Sequence, residues 1–83
     1  MAYREMFFVQ LFGYTHKDEL IPGAIYPADD SEQAVLRAKA CADRGAPGAI
    51  AFSQLVDDRA EHAEEPKLLA GYGHVPREAR AAA

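Results

Sequence analysis

Met6-Phe7-Phe8-Val9-Gln10-Leu11-Phe12 is the stretch that most limits what this chain can become. Side chains alternate between the two faces of a strand. Phe7, Val9 and Leu11 therefore point one way, and Met6, Phe8 and Phe12 point the other. Gln10 is the sole polar interruption. A strand that is apolar on both faces needs cover on two sides. The remainder of the chain offers one strong helix signal, which covers one of them.

The elements can be placed from local signals. The first strand runs from about Glu5 to Tyr14, and Thr15 to Glu19 form a polar turn. Leu20 to Tyr26 reads as a weaker second strand. Pro22 has no ladder donor and Gly23 invites a bulge, so this strand belongs at an edge. Pro27-Ala28-Asp29-Asp30-Ser31 is a helix start, with Asp30 and Gln33, or Asp29 and Glu32, spaced for a capping box. The helix should run from about Ser31 to Arg44, with Gly45 as a left-handed cap and Pro47 preventing continuation. Ala34, Val35, Ala38, Cys41 and Ala42 form its apolar stripe, and Leu36 lies off it.

Gly48 to Val56 reads as the third strand, with Ile50, Phe52 and Val56 on one face and Ala49, Ala51, Ser53 and Leu55 on the other. Residues 57–66 form a charged loop. Lys67 to Tyr72 is the fourth strand, and Pro76 opens a short helical or frayed tail over 76–83. The predicted fold is α+β. It is a four-stranded antiparallel sheet of ββαββ connectivity, in the order 2-1-3-4, with one helix packed on one face. Residues 1–83 make a single domain.

Size and composition narrow the class. At 83 residues the chain is near the lower end of domain size, where the fraction of surface that can be buried is small. The apolar content of 49% is that of a globular protein, although alanine supplies much of it. A net charge of -4 without a Lys/Arg cluster argues against a nucleic-acid surface. There is no apolar run long enough to cross a bilayer and no secretory signal pattern, so a cytoplasmic location is expected. Cys41 is the only cysteine, which excludes an intrachain disulfide.

Phe7 to Phe12, Pro22-Gly23, the helix from Glu32 to Ala42, Gly48 to Ser53, and Leu68 to Pro76 carry a resemblance. By these segments the chain resembles a group of short alphaproteobacterial proteins of unknown function. The segments span most of the chain and are structural in kind. What the resemblance implies is one small domain, with no catalytic or binding residue carried over.

The residues with chemical potential each have a plainer role. Cys41 could serve as a thiol nucleophile with a histidine, but it falls on the apolar helix stripe, where a free cysteine acts as a small hydrophobe. Asp57 to Glu65 gathers acids and His62, yet the spacing fits neither a calcium loop nor a helix-borne zinc pair. His16, His62 and His74 sit in three separate loops. Gly71-Tyr72-Gly73-His74 reads as a strand end or bulge, because the following helix is too short and too late for a dinucleotide fingerprint. The four tyrosines and four phenylalanines lack the interleaved cations of a single-strand stacking platform. No catalytic set, cofactor or metal site is expected.

The leading expectation is a non-enzymatic interaction module, joined to a second copy or another protein through the uncovered sheet face. Met6, Phe8, Phe12, Ala51 and Leu55 are its expected interface. The alternative is a small-molecule-binding protein or small enzyme, with a pocket near the sheet end or at a dimer seam. Gln10, Tyr72 and His74 are its first candidates. A third possibility is an accessory subunit docking through the edge of the fourth strand.

Overall fold

The computed structural model describes residues 3–57 and 65–75. The predicted tail over 76–83 and most of the acidic loop, His62 included, lie outside the described residues. Four strands and one helix follow in the order β1 (Tyr3–Tyr14), β2 (Leu20–Ala28), α1 (Ser31–Asp43), β3 (Gly48–Asp57) and β4 (Lys67–Gly73). The strands form one sheet in the order β2-β1-β3-β4, and every neighbouring pair is antiparallel. The two most apolar strands are thus central, as the pattern requires. Boundaries differ from the sequence reading by at most two residues.

Local chemistry starts and stops the helix. Asp30 is the N-cap, in extended backbone, and its Oδ1 accepts from the Gln33 amide at 2.7 Å. Gln33 Oε1 in turn accepts from the Asp29 amide at 2.8 Å, one residue before the cap itself. One amide of the first turn and one just before the cap are satisfied in this way. At the other end Gly45 has φ of +109°. The Gly45 amide bonds to the Ala42 carbonyl and the Ala46 amide to the Cys41 carbonyl, each at 3.1 Å. That double closure is a Schellman motif, which needs a left-handed residue and so favours glycine.

The helix covers one sheet face and packs most heavily on β3. Ala34 and Ala38 are fully buried against Val9, Ala49 and Ala51, with Phe7, Leu11, Leu69 and Tyr72 around them. Small residues face small residues here, so the two layers approach closely. This corrects the expected face of β3. Val9 pairs with Ala51 and Phe8 with Phe52, and directly opposed residues share a face. Ala51 therefore lies under the helix. Leu55 opposes Glu5 on that same face. Neither belongs to the open face where it was expected. The cause is register parity: a one-residue change in pairing exchanges the two faces of a strand.

Gln10 has a structural task. The β1–β2 register shifts between Gln10 and Phe12, so β2 carries the bulge anticipated at Gly23. Gln10 Nε2 donates to the Gly23 carbonyl at 2.8 Å, with the Leu11 and Ala24 carbonyls at 3.1 and 3.3 Å. The polar interruption in β1 satisfies carbonyls at the bulge.

Candidate functional site

The open face is built by alternation. From β1 it takes Met6, Phe8, Gln10 and Phe12, and β3 contributes Ile50, Phe52, Gln54 and Val56 opposite or beside them. Leu68 of β4 opposes Phe52, and Ile25 of β2 opposes Gln10. At the centre the Phe8 and Phe52 rings stack with centroids 5.3 Å apart, a favourable offset aromatic geometry.

The face is not uniformly bare. Phe12 and Ile50 are only 6% and 7% exposed although α1 packs on the opposite face. His74 and Val75, just past β4, lie over this end of the sheet. Gly73 has φ of +72°, and the His74 amide then donates to the Pro47 carbonyl at 2.9 Å. This turns the chain across the sheet. A Cβ on Gly48, the residue opposite Phe12, would collide with the His74 carbonyl. Val75 reaches the same region, with its Cγ2 placed 3.5 Å from where a Gly71 Cβ would stand. The His74 ring meets Tyr14 edge-on at 6.1 Å. Gly71-Tyr72-Gly73-His74 is therefore a strand end and a corner.

Of the five residues expected at an interface, Met6 and Phe8 are half-buried members of the open face. Phe12 is on that face but already covered. Ala51 and Leu55 are on the other. Sequence reading missed Phe52 and Leu68, whose membership depends on register. Ile25, 51% exposed, flanks the patch. Among the described residues, no element lies over the half of the sheet around Phe8 and Phe52.

Gln10, Tyr72 and His74 do not converge. Tyr72 packs beside the helix-side core, Gln10 is bonded at the bulge, and His74 lies at the corner beside Tyr14. Among the described residues no three His, Cys, Asp or Glu side chains are grouped to hold a metal. No helix is long and apolar enough to cross a membrane among those residues.

Two concavities formed by described residues lie on the helix side. One, of about 150 Å³, is formed by Glu5, Ser53, Leu55, Glu65 and Lys67. The other, of about 350 Å³, runs between the helix and β2 and is lined by Val9, Tyr26, Arg37, Ala40, Cys41 and Arg44. Comparison with protein families, curated proteins and solved structures gave no match to this chain.

Proposed function

We propose that this chain is a non-enzymatic interaction module that pairs with a second copy of itself through the open half of its sheet. The observation that carries this reading is the Phe8–Phe52 stack. It sits mid-sheet and half-buried, and no described element lies above it. Met6, Val56 and Leu68 extend the apolar surface around it. Arg4, opposite Val56, is the only charged residue that the described pairings place on this face. A two-fold interface sets a patch against its own copy. An apolar patch is self-complementary by chemistry, whereas a charged one would repel itself. Surface apolar patches of this kind mark interaction sites.

Sedimentation equilibrium tests the reading. The wild-type chain should be a dimer at high micromolar concentration. Phe8→Glu removes two symmetry-related phenylalanines, each contributing about 1.5–3 kcal/mol on burial. Its dimer constant should therefore weaken by a hundredfold or more. Leu55→Glu, on the opposite face, should leave association unchanged. Circular dichroism establishes that each variant is folded. A wild-type monomer at that concentration, or equal loss in both variants, would overturn the proposal.

A further inference from the structure

We infer that the groove between α1 and β2 is a binding site for a small amphipathic carboxylate, an apolar ring or short chain carrying one anionic head. It lies on the helix side of the sheet and is independent of the proposed pairing face.

The groove follows from how the layers meet. Its floor is the cross-strand pair Val9 and Tyr26, opposed in the β1–β2 ladder. Its wall is one ridge of the helix, Arg37, Ala40, Cys41 and Arg44, which share a face by helical spacing. The helix leans on β3 and meets β2 least, and Ala40 is too small to close the gap that remains. The volume of about 350 Å³ compares with about 150 Å³ for an apolar cavity that holds benzene. A substituted ring fits.

The lining has two characters. Val9, Ala40, Cys41 and the Tyr26 ring offer apolar contact. Arg37 and Arg44 bring two positive charges, and no acidic side chain is among the described residues that line the groove. The local sign is therefore opposite to the chain's net charge of -4. Guanidinium groups suit carboxylates because their donors match two oxygens at once. Arg37 Nη1 makes one long contact to the Pro27 carbonyl, 3.4 Å, which ties it across the helix–β2 gap. Its other donors are not used by that contact. Arg44 sits at the helix C-terminus, where the dipole weakens the field felt by an anion, so Arg37 is the stronger anchor.

Cys41, the only cysteine, lines the groove half-buried and free. It therefore reports occupancy directly. The experiment follows the rate of Cys41 alkylation by iodoacetamide with benzoate, octanoate, benzyl alcohol or inorganic phosphate present. At a carboxylate concentration ten times its dissociation constant, simple occupancy slows labelling about tenfold. Benzyl alcohol and phosphate should protect far less, because each supplies half of the recognition. Arg37→Gln should weaken benzoate binding about tenfold, the equivalent of one charge-assisted hydrogen bond, while Leu36→Gln, on the exposed side of the helix, should not. Absence of protection by either carboxylate would overturn the inference. Equal protection by benzyl alcohol or by phosphate would do so too, as would unchanged binding in a folded Arg37→Gln variant.

Discussion

Gly48 and Gly71 lie near each other on the open face, yet adding one methyl group to each should move stability in opposite directions. At Gly48 the new Cβ would run into the His74 carbonyl, with the His74 backbone nitrogen only 3.3 Å away. These are backbone atoms, so no side chain can swing aside. The chain has two escapes. It can hold the crossing and take an overpacking cost, typically about 1–3 kcal/mol and more against backbone. Or it can peel His74 and Val75 off the sheet. Peeling loses the His74–Pro47 hydrogen bond, about 0.5–1.5 kcal/mol, and the burial of Val75 beside Gly71, about 1 kcal/mol for a half-buried valine. Either way Gly48→Ala should cost about 2–3 kcal/mol.

At Gly71 the Cβ would stand 3.5 Å from Val75 Cγ2 and 3.7 Å from Ile50 Cγ2. Those are ordinary contact distances to apolar atoms. Gly71→Ala should therefore be neutral, or stabilise by about 0.4–1 kcal/mol through the reduced freedom of the unfolded chain. Urea unfolding at one fixed protein concentration reads the difference. With a slope near ~1 kcal/mol per molar for a small domain, Gly48→Ala should lower the midpoint by about 2 M. Gly71→Ala should leave it level or raise it. A neutral Gly48→Ala, or equal losses at both positions, would refute the crossing of His74 over the sheet.

Two further substitutions test other joints of the fold. Gln10→Leu keeps the size of the side chain but leaves the Gly23 carbonyl at the bulge without its donor; it should cost about 1 kcal/mol and speed amide exchange in β2, and unaltered exchange there would show that the bulge holds without it. Asp30→Ala removes the acceptor for the Gln33 amide and should cost about 1 kcal/mol, seen as a melting temperature lower by about 4–8 °C, whereas Asp29→Ala, which contributes only its backbone amide to the cap, should be near neutral.

The parts of the fold that could be read from the chain are those written in short-range chemistry. Asp30, Gln33 and Gly45 mark the helix because capping is decided within a few residues. Pro22 and Gly23 mark an edge strand because a missing donor and a missing side chain are local facts. The strand order followed from ranking apolar content. What could not be read depends on distant pairing. Alternation in β3 separates Ala51 from Phe52, but only the register with β1 says which one lies under the helix. Nor does anything near Gly48 announce that His74 will cross it. In hindsight, a glycine opening an apolar strand and a second glycine at the end of its partner were the available signals. The groove was equally hidden, since it arises from a gap between α1 and β2 and not from a motif.

The most deeply buried side chains under the helix are small, and that bears on what the open face is for. Beneath the helix the buried set is Ala34, Ala38, Ala49 and Ala51, and Val9 is the one large side chain that is fully buried among the described residues. Phe7, Leu11, Leu69 and Tyr72 surround that set but stay only partly buried, and further bulk, in Phe8, Phe12, Ile50 and Phe52, is on the face the helix does not touch. An alanine contact brings layers together but removes little apolar area from water, and burial scales with area. The intrachain core is therefore thin for a chain already small enough to be marginal. The β4 crossing recovers part of the deficit by covering Phe12 and Ile50. Under the proposed pairing, a second copy recovers the rest over Phe8 and Phe52, and association then contributes to folding itself. Anything that binds only the folded state raises its stability by mass action. The wild-type unfolding midpoint should accordingly rise with protein concentration, while that of Phe8→Glu should be lower and independent of it. A wild-type midpoint that does not move with concentration would separate stability from association and leave the thin core to stand by itself.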